Sequence, residues 1–295
     1  MRIIGRETRN VDRLRPVPRR RWAPLAAAVA MLLATATPAS AALSYVEGAE
    51  TTTAAIAQGE AQASCPPGSE LAGGGTFSTG GYGDVSINSS SPYLVSETVW
   101  REFTDVYAGE QDHRAFAICD SNGTNQVIKF KELPANGGLE TARARCPDGQ
   151  NVYGGGFYTS ADKTGVLAIA SRPIDGKDRG DERDDGWEAT YTNPTADQWS
   201  IRAFAQCGPK DVTVKVKSDT AESASQKSLR QSCPQDGRVT GGGAMIEFAG
   251  SSGWISTVYP YDGGDANSIR DDRWGAYFEN SGVMERKVAV YAICR

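Results

Sequence analysis

Histidine is nearly absent from this chain: His113 is the only one in 295 residues. A catalytic set built on an imidazole can therefore occur once at most. There is no Cys-x-x-Cys pair, so the six cysteines lack the usual arrangement of a zinc site. No segment carries a long 3.6-residue apolar period with caps, which excludes an extensive helical domain. The one long apolar run, about Ala23 to Ala36, is short and Ala-rich for a membrane span, and an uncleaved signal anchor is the competing reading of it.

That run reads as part of an export signal over residues 1–41. A basic head with Arg2, Arg6 and Arg19-Arg20-Arg21 precedes it, and Pro38-Ala39-Ser40-Ala41 supplies a small-x-small cleavage site. The paired arginines leave twin-arginine export open beside general secretion, although Trp22-Ala23-Pro24 matches the former poorly. Residues 1–41 hold 8 of the 31 basic residues and 2 of the 36 acidic ones, so the remainder carries 23 against 34, a formal charge of −11. Such an acidic chain is ill-suited to nucleic acid or to anionic membrane surfaces. The expectation is a secreted, extracellular, soluble protein, monomeric, with no membrane span once the signal is removed.

What the sequence does have is threefold repetition. Cys65-Pro66, Gly73-Gly74-Gly75, Trp100 and Cys119 recur as Cys146-Pro147, Gly154-Gly155-Gly156, Trp187 and Cys207, and again as Cys233-Pro234, Gly241-Gly242-Gly243, Trp274 and Cys294. From copy 1 to copy 2 the opening Cys moves by 81 residues and the Trp by 87; from copy 2 to copy 3 all markers move by 87. Copies 2 and 3 thus share a six-residue insertion before the Trp. The organisation is 42–120, 121–208 and 209–295 after the signal. Short apolar runs ending at Cys, and the alternation in Val212–Lys217 and Val127–Lys131, predict about four or five strands per copy. Leu43–Val46 is expected to hold the matching place before copy 1, and the Ala-rich stretch Thr51–Ala63 is expected to contain a helical turn. The fold class is all-β: one three-fold β-prism-like body, or three small sandwiches in tandem.

In an oxidising compartment, two cysteines per copy read as three disulfides. Two pairings respect the repeat. One is internal, Cys65–Cys119, Cys146–Cys207 and Cys233–Cys294; the other links neighbours, Cys119–Cys146 and Cys207–Cys233, with Cys65–Cys294 closing a ring. The internal set gives every copy its own staple.

The Cys-Pro, triple-Gly, Trp, Ala-x-Cys pattern resembles a repeat of secreted bacterial proteins of unassigned role. The three-fold, disulfide-bearing all-β plan is similar in architecture to vitelline membrane outer layer protein I, a β-prism. That likeness implies a fold and carries no functional residue.

Candidate sites are few. The Gly triplets have no Lys-Ser/Thr behind them, so close strand packing explains them better than a phosphate cradle. Trp100, Trp187 and Trp274 are either core residues or a sugar-stacking platform. The shared insertion repeats Asp175, Asp178, Asp184, Asp185 as Asp262, Asp265, Asp271, Asp272. Carboxylates on a Gly-containing loop are what Ca²⁺ takes, and they also accept from sugar hydroxyls; the plain alternative is a solvated acidic turn. No other cofactor and no catalytic set is expected. The functional expectation is non-catalytic extracellular binding, of a glycan for instance, or a structural role at the cell envelope. The alternatives are a glycan-active enzyme using the acidic loops, with Glu182, Asp184 and Asp185 as its acids, and a secreted protease inhibitor.

Overall fold

A computed structural model of the chain describes residues 43–162, 164–175, 184–234, 237–247, 252–262 and 270–295. The export signal, most of the six-residue insertion, Asp178, Glu182 and Asp265 lie outside the described residues. Copy 1 runs through β1 (Leu43–Glu47), β2 (Thr51–Thr53), β3 (Ala57–Ser64), β4 (Glu70–Ser78), β5 (Val85–Pro92), β6 (Val99–Val106) and β7 (Gln111–Asp120). Copy 2 follows as β8 (Asn125–Leu133), β9 (Gly138–Arg145), β10 (Asn151–Thr159), β11 (Leu167–Ile174), β12 (Gly186–Asn193) and β13 (Trp199–Gly208). Copy 3 is β14 (Thr213–Ala221), β15 (Ser225–Ser232), β16 (Val239–Ile246), β17 (Gly253–Tyr261), β18 (Arg273–Asn280) and β19 (Arg286–Cys294). The all-β reading holds. Each copy has six strand positions rather than four or five, because the segment before each Cys-Pro is itself a strand pair. In copy 1 the first of these positions is split into β1 and β2.

The Ala-rich stretch Thr51–Ala63 forms strands, not a helical turn. Thr51–Thr53 pairs with Gln111–His113, the chain reverses at Ile56 (φ 58°), and β3 then pairs with β6. Ala61 and Ala63 point into the core, so the alanines serve a period of two, not a helix.

Three antiparallel sheets result, and none belongs to one copy. Sheet A runs β1-β7-β4-β17-β18-β15, with β2 also on β7; sheet B runs β3-β6-β5-β10-β13-β8; sheet C runs β14-β19-β16-β11-β12-β9. Half of every sheet comes from one copy and half from another, and copy 3 returns to pair with copy 1 through Val258 and Thr76. The exchange closes the ring and rules out three tandem sandwiches. Residues 40–295 accordingly form one compact unit.

The disulfides are the internal set: Cys65–Cys119, Cys146–Cys207 and Cys233–Cys294. Each is internal in sequence but joins two sheets in space. Cys65 follows β3 of sheet B and Cys119 lies in β7 of sheet A; Cys146 follows sheet C and Cys207 lies in B; Cys233 follows A and Cys294 lies in C. The staples therefore stitch A to B, B to C and C to A.

Every glycine of the triplet has its own reason. A Cβ on Gly154 would lie 2.9 Å from the Cα of Gly73, and one on Gly241 2.6 Å from the Cα of Gly154, so the first glycines meet where the three copies converge. A Cβ on the middle glycine would lie 2.3 Å (Gly74), 2.2 Å (Gly155) or 2.4 Å (Gly242) from the ring of Trp100, Trp187 or Trp274. The third glycine faces the neighbouring copy's strand, as Gly75 faces Tyr259. Just before each triplet the register shifts, between Leu71/Gly73, Val152/Gly154 and Val239/Gly241, a bulge repeated in all three copies.

Candidate functional site

The acidic loops were the sequence's best candidate, and two of their carboxylates, those of Asp184 and Asp271, are engaged within the fold, while Asp185 Oδ2 has no hydrogen-bond partner among the described residues. Asp184 is buried and accepts from Asn151 Nδ2. Its carbonyl accepts from Val152 N at 2.6 Å, and that of Asp185 from Cys146 N at 2.8 Å. Copy 3 repeats this: Asp271 is buried, 3.2 Å from Arg238 Nε, and the carbonyls of Asp271 and Asp272 accept from Val239 N at 2.7 Å and Cys233 N at 2.8 Å. In copy 1 Glu97 and Thr98 do the same for Leu71 and Cys65. The backbone carbonyls at these two positions thus clamp the Cys-Pro turn to the start of the glycine strand in every copy, whatever the side chains. Asp175 is exposed and Asp262 half-buried. Among the described residues no three His, Cys, Asp or Glu side chains are grouped to hold a metal.

Trp100, Trp187 and Trp274 have no exposed surface. They are core, not a platform. Trp100 Nε1 donates to Ser90 Oγ at 3.0 Å and Trp187 Nε1 to Ser171 Oγ at 2.9 Å.

The lone histidine sits in a buried polar group special to copy 1. His113 Nδ1 bonds Glu102 Oε1, its Nε2 lies 2.8 Å from Thr53 Oγ1, and Thr104 Oγ1 donates to Glu102 Oε2 at 2.7 Å. Hydroxyl, imidazole and carboxylate in that order is the layout nucleophilic catalysis uses. Here, however, His113 and Glu102 have no exposed surface and Thr53 has 8 %, so these three groups are closed off from a substrate in this structure. Burial holds the Glu102 carboxyl above its ordinary range, against the opposing pull of His113. At the matching strand positions copies 2 and 3 have Leu133, Ala189, Tyr191, Ile201 and Ala221, Ala276, Phe278, Val288.

The outer faces of the sheets differ far more than the core. In β18, Trp274, Ala276 and Phe278 enter the core, so Gly275, Tyr277 and Glu279 take the other face. There Tyr259 is the hub of five rings on sheet A. Its centroid is 5.1 Å from Phe77, 6.2 Å from Phe116, 5.9 Å from Tyr261 and 6.4 Å from Tyr277. Gly275 makes room, since a Cβ there would lie 3.1 Å from the Tyr259 ring. Phe77, Tyr261 and Tyr277 remain half-exposed, while Tyr259 and Phe116 are buried beneath them. Three arginines border the rings: Arg230 lies 3.8 Å over Tyr261, Arg270 5.3 Å over Phe116 and Arg114 5.9 Å over Phe77. A cleft of ≈ 190 Å³ lined by Tyr45, Glu47, Phe116, Pro260 and Arg270 adjoins them. Burial and the neighbouring Tyr277 push the Tyr259 hydroxyl well above its ordinary value, so it stays a protonated donor.

Sheets B and C fill the equivalent places with ion pairs. On B, Arg101 lies 4.4 Å from Phe103 and 5.0 Å from Tyr93 and is held by Glu60 at 2.6 Å. On C, Arg172 and Arg143 meet Glu188 at 2.6 and 3.0 Å beside a groove of ≈ 380 Å³. Sequence reasoning missed the aromatic face because Phe77, Arg114 and Phe116 belong to copy 1 and Arg230, Tyr259, Tyr261 and Tyr277 to copy 3. The available signal was the loss of repeat identity at one position: Ser91, Arg172, Tyr259.

No helix among the described residues is long and apolar enough to cross a membrane. No model of a known protein family matches the chain, and a comparison with curated proteins finds no significant match.

Proposed function

We propose that this protein is a secreted, non-catalytic binding protein that holds an extracellular saccharide on the outer face of sheet A. The supporting observation is the cluster of five rings around Tyr259, with Phe77, Tyr261 and Tyr277 half-exposed at its surface. Half-exposed rings with polar tips suit the apolar face and hydroxyls of a sugar ring. The three stitched sheets supply a rigid support, which lowers the ordering cost of binding. The acidic loops have no part in this reading, because Asp184 and Asp271 are spent on Asn151 and Arg238.

A glycan array probed with wild type and with the double variant Tyr261→Ala/Tyr277→Ala, each with and without Ca²⁺, tests the assignment. The wild type is expected to retain a set of glycans irrespective of Ca²⁺, and the variant to lose them. Binding that survives in the variant, or that requires Ca²⁺, places the site elsewhere.

A further inference from the structure

Outer arginines on sheets B and C are neutralised by acids of their own sheets. Arg101 has Glu60; Arg172 and Arg143 share Glu188. On sheet A, Arg114 is paired with Glu47 and Glu50, and Arg270 lies 3.4 Å from Glu47. Arg230 has no carboxylate partner among the described residues. The groups that face it are the hydroxyls of Tyr259, Tyr261 and Tyr277; burial weighs against its charge, and these hydroxyls support it. Its guanidinium is nonetheless exposed, stacked on Tyr261.

The strand registers show what is missing. Arg143 of β9 lies opposite Glu188 of β12 on sheet C, and Arg230 of β15 lies opposite Gly275 of β18 on sheet A. Gly275 therefore stands, on sheet A, where Glu188 neutralises Arg143 on sheet C, and Ser228, two residues before Arg230 on the same face of β15, supplies no acid in its place. Ser228 is small and exposed. A guanidinium stacked on a ring, with no acid at its counter-position, is set for bidentate contact with an incoming anion. It is also a cation presented on a chain whose formal charge, without residues 1–41, is −11. An acid delivered by the ligand would restore the pairing that the other two sheets build in.

We infer that the saccharide taken by sheet A is anionic, and that its charged group sits between Arg230 and the open place at Ser228 while its ring lies on Tyr261 and Tyr277. The inference rests on the saccharide reading above and adds the class of ligand. A uronic-acid carboxylate and an ester sulfate present the same chemistry to Arg230.

Titration calorimetry with three probes separates these sources: an oligogalacturonate, its neutral methyl ester, and a carrageenan oligosaccharide bearing sulfate but no carboxylate. The acid or the sulfate ester is expected to bind at least tenfold more tightly than the methyl ester. Arg230→Gln should weaken the anionic probe about 10- to 100-fold, by loss of charge-assisted hydrogen bonds, and leave the methyl ester within about twofold. Ser228→Glu, an exposed change that puts an acid beside Arg230 on the same face of β15, should do the same by supplying an internal counter-ion. Equal binding of the acid and its methyl ester overturns the anionic assignment while leaving the saccharide reading intact. Failure of all three probes with wild type removes both. Loss of the methyl ester in Arg230→Gln would show that the arginine only supports the rings, and would overturn the inference as well.

Discussion

Trp274 packs on Gly242, where a Cβ would come within 2.4 Å of its ring, yet its Nε1 has no hydrogen-bond partner among the described residues. In copies 1 and 2 the same nitrogen donates to Ser90 and Ser171. The position equivalent to these serines in copy 3 is Val258. A buried donor without an acceptor costs about 1–3 kcal/mol. Val258→Thr supplies a hydroxyl of nearly the same shape and is expected to raise stability by about 1 kcal/mol in urea unfolding. Ser90→Val and Ser171→Val should each lose about 1–3 kcal/mol. A Val258→Thr variant less stable than wild type would show that the hydroxyl cannot reach Trp274.

The glycines divide by what surrounds them. Gly155→Ala places a methyl 2.2 Å from the Trp187 ring and 2.4 Å from the Phe204 carbonyl, and neither can retreat in a filled core. It should cost more than about 3 kcal/mol, or prevent folding. Gly149→Ala meets no atom within 4 Å, and its penalty comes only from a φ of 83°. That should cost about 1–2 kcal/mol. Thermal melts of the two variants check the ranking; similar losses would mean that backbone conformation, not the tryptophan contact, selects glycine in the triplet.

The repeat made the architecture legible, for a physical reason. Gly74, Gly155 and Gly242 and the tryptophans over them are one contact made three times, so selection on packing left three copies of the same pattern. The cysteines were equally legible, since each copy staples itself. What the repeat concealed was the exchange of strands. Val258 pairs with Ala276 of its own copy on one side, and identical patterns cannot reveal which copy supplies its other neighbour, which is Thr76 of copy 1. The aromatic face depends on that exchange. Recurrence alone does not assign the acidic pairs a role: their backbone carbonyls hold Cys146 and Cys233 in place, as those of Glu97 and Thr98 hold Leu71 and Cys65 in copy 1, and a side-chain ligand set would have produced the same letters.

Copy 1 holds Thr53, Glu102, Thr104 and His113 where the other copies are mostly apolar, and this predicts a contrast between partial and complete replacement. His113→Ile alone leaves a buried carboxylate without its imidazole and should cost about 3–5 kcal/mol. Changing the group to its copy 2 counterpart, Thr53→Leu, Glu102→Ala, Thr104→Tyr and His113→Ile together, should be neutral or stabilising. Denaturant midpoints of the single and quadruple variants decide the matter. A quadruple variant less stable than His113→Ile would mean that copy 1 is shaped around the polar group.

Asp105 gives the clearest pH signature. It is fully buried on the outer side of β6 and accepts from Gln58 Nε2 at 2.9 Å. Burial pushes its carboxyl up to about 7, against the opposing hydrogen bonds of Gln58, Gly165 and Asn88. Between the unfolded value, about 4, and that folded value the native state holds the proton that the unfolded chain has released. Native stability from this group is therefore greatest at acid pH, falls as pH rises from about 4 to about 7, and is level above that. The loss is at most about 4 kcal/mol. Burial also raises the carboxyls of Glu102 and Glu279, so they contribute in the same direction. Asp105→Asn keeps an acceptor for Gln58 and cannot ionise. Asp105→Thr copies Thr192, the buried neutral residue at this place in copy 2. Both variants should gain on wild type between pH 5 and pH 8, by about 1–4 kcal/mol at the upper end, with the difference fading toward pH 4. Urea unfolding across that range measures it. A difference between wild type and Asp105→Asn that stays constant with pH would show that the carboxyl ionises normally in the folded protein.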